Sequence, residues 1–226
     1  STGRHFCAGM DLAVFTGGNL SGEGKTERGR MNANTRSSAL LLQESFNCLE
    51  RARMPVLVAI QGGCVGGAVD MVTAADMRYA TADAWFCIQE INIGMTADVG
   101  TLQRLPKLVP EGVVRELAYT GRRMSAQRAY EVGLVNQIFE THEELVEGVL
   151  HIANEIATKS PLAIWGTKES VNYARDHSVA DSLNFIATWQ AGMFQPKDMA
   201  AAFEAQANSE DPDFDDLPPM RKGLGS

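Results

Sequence analysis

Three carboxylates in one glycine-rich part of the chain have the side chains needed for proton transfer. Asp70, Glu90 and Asp98 fall on consecutive predicted elements. A carboxyl group that is removed from water has a raised pKa, which suits it to general acid–base catalysis near neutral pH. If the three side chains converge, they could take a proton from one substrate atom and give one to another. Sequence spacing alone leaves this convergence open.

Gly67 and Asp70 add a possible anion-binding group beside these acids. They are three positions apart on a helix predicted to start near Gly66, so both lie on one helical face. Free N–H groups at a helix N-terminus, aided by the helix dipole, can hold an oxyanion, and glycine lets a substrate approach the backbone closely. Two glycines before a helix are also common in purely structural turns, and that alternative stays open.

Glu90 and Asp98 also have structural alternatives. Strand alternation places Phe86, Ile88 and Glu90 on one face of a predicted strand. Glu90 is then either partly desolvated at the end of an apolar row or an ordinary glutamate that reaches solvent. Asp98 precedes a predicted helix, so the alternative to an acid–base role is an N-cap.

Alternating strands and helices are predicted to position these residues. Residues 17–36 have few large apolar side chains and indicate a surface loop, with a lid over a ligand as the alternative. Residues 61–76 read as strand, turn and helix. Strands are predicted over residues 56–60, 77–80, 84–88 and 135–139. Helices are predicted over residues 39–49, 98–104, 112–119 and 125–132, the last with Ser125 as its N-cap.

The rest of the chain is predicted to be almost wholly helical. These helices cover residues 143–158, 162–175, 179–194 and 199–208. Residues 211–226 are acidic and rich in Pro and Gly, which predicts a frayed tail. We therefore divide the chain into an α/β part, residues 1–141, and a helical part, residues 142–226.

Composition narrows the function classes. The net charge of −8, without a basic cluster, argues against a nucleic-acid partner. An uninterrupted apolar stretch of about 18 residues is missing, which argues against a membrane span. The four cysteines lack C-x-x-C spacing and the histidines lack zinc-site spacing, so we expect buried thiols in the cytoplasm or an organelle matrix, and no metal.

Two separated motifs carry a resemblance to a known family. Residues 8–12, A-G-M-D-L, resemble the A-G-x-D-[LI] oxyanion segment of the crotonase (enoyl-CoA hydratase/isomerase) superfamily. Residues 61–70, Q-G-G-C-V-G-G-A-V-D, resemble its second oxyanion segment, H-G-x-x-x-G-G-G-x-[DE], with Ala68 replacing a glycine. Residues 90–106 are similar to the dienoyl-CoA isomerase branch, since Asp98 stands where hydratases usually have glycine.

The resemblance implies a crotonase-like α/β fold, a spiral of ββα and βαβ turns followed by a C-terminal helical oligomerisation region. That region would pack subunits into trimers or hexamers. Family members carry further strand–helix units ahead of the first motif, whereas this sequence starts only a few residues before it. We therefore expect an N-terminal part of the family fold to be absent from this sequence.

The resemblance also implies which residues bind the substrate. The backbone N–H groups of Met10 and Gly67 would form an oxyanion hole for a thioester carbonyl. Ala8, Asp11 and Leu12 would lie where relatives hold the adenine of coenzyme A. Coenzyme A would be part of the acyl-CoA substrate, so no separate cofactor is expected.

The acids receive roles by the same resemblance. Glu90 matches the proton-abstracting carboxylate, Asp98 the acid specific to dienoyl isomerases, and Asp70 the helix carboxylate that is glutamate in hydratases. The implied activity is isomerisation of 3,5-dienoyl-CoA to 2,4-dienoyl-CoA in fatty acid β-oxidation. The alternatives are an enoyl-CoA hydratase of the same superfamily and a non-catalytic acyl-CoA-binding or RNA-associated relative.

Overall fold

A computed structural model describes residues 1–11, 13 and 27–220. The chain divides into two compact units. The first consists of Ser1–Ala52 and Val56–Val149, and the second of Arg53–Pro55 and Leu150–Ser226. The division after residue 141 that the sequence suggests stays a prediction.

Two small sheets form the strand framework of the first unit. One sheet has the order β1 (Leu57–Ile60), β3 (Met77–Thr81), β6 (Gln137–Phe139), and its strands are parallel. The other has the order β2 (Gly63–Val65), β4 (Trp85–Cys87), β5 (Met124–Ser125), with β2 parallel and β5 antiparallel to β4. From β1 to β4 the chain alternates between the sheets, so each parallel neighbour is reached by a crossover.

Helices connect and cover these strands. The first unit contains α1 (Arg28–Arg51), α2 (Gly67–Thr73), α3 (Thr101–Arg104), α4 (Glu111–Thr120) and α5 (Ala126–Glu131), with 3-10 turns at Glu90–Ile93 and Leu105–Lys107. Helix α6 (His142–Ala157) leads into the second unit, which contains α7 (Pro161–Asp176), α8 (Val179–Met193) and α9 (Pro196–Asn208).

The core of the first unit lies where α2 packs near the strands. Ile60, Val72 and Leu134 are at most 1% exposed. Burying each such side chain contributes about 1.5–3 kcal/mol. Phe86 on β4 belongs to the same cluster, so the strand that leads toward Glu90 is anchored in the core.

The helix ahead of β1 is longer than predicted. Residues 17–26 of the expected surface loop lie outside the described part of the chain, but residues 28–36 are helical, so the loop prediction is wrong there. Thr35 and Ser37 donate their hydroxyls to the carbonyls of Met31 and Ala33 at 3.1 and 3.0 Å. Both hydroxyls are thus hydrogen-bonded within the helix itself, although Thr35 belongs to the predicted loop.

Two predicted boundaries near the acids are also wrong. The strand predicted over residues 84–88 ends at Cys87, and Glu90 begins a 3-10 turn instead of ending a strand face. The helix predicted over residues 98–104 begins at Thr101, and its N-cap is Gly100. Asp98 therefore does not cap it. At Ser125 the predicted cap is confirmed, because its hydroxyl accepts a hydrogen bond from the Arg128 amide.

The tail is only partly as predicted. Residues 211–220 form neither helix nor strand. The carbonyl of Pro218 nevertheless accepts a hydrogen bond from Arg53 at 2.7 Å, so this part of the tail is attached to its unit. Over residues 1–11, 13 and 27–220, no helix combines the length and apolar character needed to cross a membrane.

Candidate active site

The first motif, residues 8–12, follows a short segment that pairs with the chain at β2. The Phe6 amide donates to the Gln61 carbonyl at 2.8 Å, and Cys7 pairs with Cys64 as a parallel bridge. Two residues later Gly9 has a φ of 95°, and a Cβ there would lie 3.3 Å from the Val65 carbonyl oxygen. The chain can come this close to the end of β2 only because Gly9 lacks a side chain.

The second motif, residues 61–70, contains β2 and the turn that connects it to α2. Gly66 has a φ of 58° and donates its amide to the Cys87 carbonyl at 2.9 Å, which ties the turn to β4. At Gly67, the first residue of α2, an added Cβ would meet nothing within 4 Å. Open space therefore lies beside the N-terminal turn of this helix, where the first N–H groups lack intrahelical acceptors.

Met10 and the predicted coenzyme A residues lie on the first motif. Met10 is 46% exposed, and Ala8 and Asp11 are exposed. The Asp11 carboxylate accepts a hydrogen bond from the Ala13 amide at 2.9 Å. Leu12 lies outside the described residues. The segment thus reaches the end of β2 near Gly67, while a shared oxyanion hole and a coenzyme A site remain predictions.

Asp70 is the most deeply buried of the three acids, at 1% exposure. Its Oδ1 accepts a hydrogen bond from the Thr101 amide at 2.6 Å. Its Oδ2 is buried without a hydrogen-bond partner among the residues that the structure describes. Burial raises the pKa of Asp70, the Thr101 hydrogen bonds and the Arg104 charge lower it, and the Asp98 charge raises it.

Glu90 lies against the turn that opens α2. It is half-buried, and its Oε1 is 3.2 Å from the position that a Cβ on Gly66 would occupy. Burial raises the pKa of Glu90, and the charges of Asp70 and Asp98 raise it further. A carboxylate with a raised pKa is a stronger base once ionised, which suits Glu90 to proton abstraction.

Asp98 differs from the other two acids because it is exposed. Its backbone carbonyl accepts a hydrogen bond from Gln43 Nε2 at 2.7 Å. Its charge raises the pKa of both Asp70 and Glu90, so all three carboxylates lie within electrostatic range of one another. The three acids that the sequence singled out are therefore close enough to influence one another's charge, while their catalytic roles stay predictions.

Sequence reasoning missed the groups that hold these acids. The Thr101 amide binds Asp70 across 31 positions of sequence, and Gln43 binds the Asp98 backbone across 55. No local pattern marks either contact. In the described ranges, no group of three or more His, Cys, Asp or Glu side chains could hold a metal ion.

An apolar cavity of about 310 Å³ lies next to the segment that joins Glu90 to Asp98. Ile91, Met95 and Ala97 line it from that segment, and Val114 and Ala118 line it from α4. Its volume and mainly apolar lining, with Glu111 and Arg115 as charged members, are those of a small-molecule pocket.

Comparisons with known proteins agree with this geometry. Residues 1–217 match the family described as enoyl-CoA hydratase/isomerase. A mitochondrial Delta(3,5)-Delta(2,4)-dienoyl-CoA isomerase of Homo sapiens is 42% identical over 210 residues, which are 92% of this chain and 64% of that protein. The chain thus spans less than two thirds of that relative. A peroxisomal dienoyl-CoA isomerase of the same name from Arabidopsis thaliana is 40% identical over 94% of this chain and 76% of that protein.

Solved structures agree as well. The crystal structure of an enoyl-CoA hydratase from Bacillus anthracis superimposes with a TM-score of 0.76 at 28% identity, over 86% of this chain and 74% of that one. Together with the strand order, this likeness confirms the predicted crotonase-like α/β fold with a helical C-terminal region.

Proposed function

Because the chain belongs to the enoyl-CoA hydratase/isomerase family, we propose that it converts 3,5-dienoyl-CoA to 2,4-dienoyl-CoA. The observation that carries the proposal is the clustering of Asp70, Glu90 and Asp98 beside the open N-terminal turn of α2. Relatives that are named dienoyl-CoA isomerases and are 33–42% identical to the chain support it.

Glu90 removes the C2 proton of the substrate in this proposal. The C2–H electron pair then forms C2=C3, the C3=C4 pair moves to C4=C5, and the C5=C6 pair takes up a proton at C6. Between these events negative charge is spread over the dienolate and the thioester oxygen. The raised pKa of Glu90 supports its role as the base.

The thioester oxygen would be bound by the N–H groups of Met10 and Gly67. The approach of the first motif to the end of β2 and the open space at Gly67 support this pairing. Donors that are already aimed at a developing oxyanion stabilise it strongly, and loss of one such donor costs about 3 kcal/mol in the oxyanion holes of other enzymes.

Asp98 would donate the proton at C6. Because it is exposed, it can take up a new proton from water after each turnover, while Glu90 releases the one it removed. One proton is thus lost and one gained in each turnover, as an isomerisation requires. Asp70 would act through its negative charge, which raises the pKa of Glu90.

The remaining parts of the substrate have candidate sites of their own. We assign the coenzyme A adenine to Ala8, Asp11 and Leu12, and the distal acyl chain to the cavity lined by Met95 and Ala118. The reaction as written needs proton transfers alone, so the proposal includes no cofactor and no metal.

Assembly and compartment are also proposals. We propose a homotrimer or a hexamer, which light scattering after size-exclusion chromatography would test. Of the four free thiols, Cys64 and Cys87 are buried as expected, whereas Cys7 is half-buried and Cys48 is exposed, so the expectation of buried thiols is wrong for Cys48. Free thiols fit a reducing compartment. Relatives are named mitochondrial or peroxisomal, which supports an organelle matrix over the cytoplasm.

Two substrates separate the proposed activity from its alternatives. The purified protein is mixed with 3,5-octadienoyl-CoA and, separately, with crotonyl-CoA, and ultraviolet absorbance is followed. Growth of the 2,4-dienoyl thioester band without loss of crotonyl-CoA absorbance is the expected result. Hydration of crotonyl-CoA alone would indicate a hydratase, and no reaction with either would indicate a non-catalytic relative.

A further inference from the structure

Helix α1 carries a row of polar side chains on one face. Gln43, Asn47 and Glu50 follow one another at intervals of four and three residues, so they lie one above another on the helix. All three are half-buried, whereas Leu41 on the same helix is 73% exposed. A half-buried polar row needs partners, and the chain supplies them from the segment that begins at Asp98.

Both ends of residues 98–104 bind this row. At one end, Gln43 Nε2 donates to the Asp98 carbonyl at 2.7 Å. At the other, Arg104 Nη2 donates to Asn47 Oδ1 at 2.5 Å and to Glu50 Oε2 at 2.9 Å. The Arg104 and Glu50 side chains are only 11% and 18% exposed, so solvent screens this ion pair weakly.

The middle of the same segment contacts Asp70. The Thr101 amide donates to Asp70 Oδ1 at 2.6 Å. Gly100 has a φ of 143°, which residues with a side chain rarely adopt, and a Cβ added there would displace the Arg104 guanidinium. Residues 98–104 are therefore fixed at both ends and at the centre, and they carry one acid while orienting another.

We propose that Gln43 is a positioning residue, which holds the backbone at Asp98 so that the Asp98 carboxyl is aimed at the reacting carbon chain. This inference rests on the proposed isomerase function. Gln43 acts through the Asp98 carbonyl and not on the carboxyl itself. The constraint matters because Asp98 is exposed and lies ahead of α3, where the helix's own hydrogen bonds do not hold it.

The test separates the two proton transfers. In deuterium oxide, removal and return of the C2 proton place deuterium at C2 of unreacted 3,5-octadienoyl-CoA, and this needs Glu90 but not Asp98. Product formation needs both acids. In Gln43→Leu we expect kcat to fall about tenfold while KM changes less than about twofold, because the acid is displaced and not removed. The ratio of C2 exchange to product formation should rise.

Two further variants make the result specific. Gln43→Lys supplies a new donor for the Asp98 carbonyl and should recover part of the lost turnover. Gln127→Leu makes the same substitution on the exposed side of α5, where Gln127 donates a hydrogen bond to Glu131 at 3.2 Å, and should leave turnover unchanged.

The inference and the proposed function fail in different ways. An inactive wild-type protein would overturn the isomerase assignment. An active wild type with unchanged kcat in Gln43→Leu would overturn the positioning role alone. A parallel fall of exchange and turnover in that variant, with their ratio unchanged, would also overturn it, because a purely structural defect lowers both steps together.

Discussion

The N-terminal half of α2 and the segment of residues 98–104 present acids in opposite environments. Asp70 on α2 is 1% exposed and held by the Thr101 amide at 2.6 Å. Asp98 is exposed and is held through its backbone by Gln43. Groups with the same chemistry can take different roles when their surroundings differ in this way. A buried charge can shift the pKa of a neighbouring base, whereas an exposed acid can be reprotonated by water.

Loss of the base should have the largest effect. Glu90→Gln keeps the size of the side chain but cannot accept the C2 proton, so we expect turnover of 3,5-octadienoyl-CoA to fall about a thousandfold or more. Deuterium exchange at C2 should disappear with it. Retained C2 exchange in this variant would remove Glu90 from the first step, and circular dichroism would check that the fold is intact.

Loss of the exposed acid should have a smaller and more selective effect. In Asp98→Asn we expect product formation to fall about a hundredfold while C2 exchange continues, because the base is still present. The pair of variants is therefore the sharpest test of the two environments. Equal loss of exchange in Asp98→Asn would mean that the two acids act in one step and that the comparison does not separate them.

The buried acid should show itself in the pH dependence of the rate. Glu90 must be ionised to act, so activity is lost as the pH falls through its raised pKa. The Asp70 charge contributes to that rise, after burial. Asp70→Asn should therefore move the acidic limb of kcat/KM to lower pH.

Exposed Asp216→Asn in the tail makes the same change of charge far along the chain and is the control. An acidic limb that stays in place in Asp70→Asn, or that moves equally in Asp216→Asn, would contradict a local effect of Asp70 on Glu90.

The stability of the protein gives a second test of the raised pKa of Asp70. Because the pKa of Asp70 is raised in the folded protein, its stabilising contribution is complete below the unfolded value of 3.8 and is lost as the pH rises through the folded value. The free energy of unfolding of wild type, from urea titrations, should therefore fall relative to Asp70→Asn as the pH is raised over this range. A difference that is constant with pH would contradict the raised pKa.

The two regions were also unequally predictable from the sequence. The start of α2 and the shared face of Gly67 and Asp70 follow from local glycine chemistry and helical spacing, and the structure has both. The surroundings of Asp98 do not follow, since Gln43 and Arg104 act across 55 and 57 positions of sequence. An N-cap at Asp98 was plausible by type, but Gly100 with its φ of 143° takes that position.

The smallest expected effect concerns the cavity between the acid-bearing segment and α4. Ala118→Trp would fill part of its 310 Å³, and Glu90 and Asp98 are not among the described residues that line this cavity. We expect kcat/KM for long-chain 3,5-dienoyl-CoA substrates to fall by about tenfold or less, with short-chain substrates nearly unaffected, because pocket contacts distinguish chain lengths only modestly. Ala82→Trp in the exposed turn between β3 and β4 is the matched control. If kcat/KM fell by the same factor for short and long substrates, the cavity would not bind the acyl chain. The distal part of the substrate would then extend from the acids in another direction.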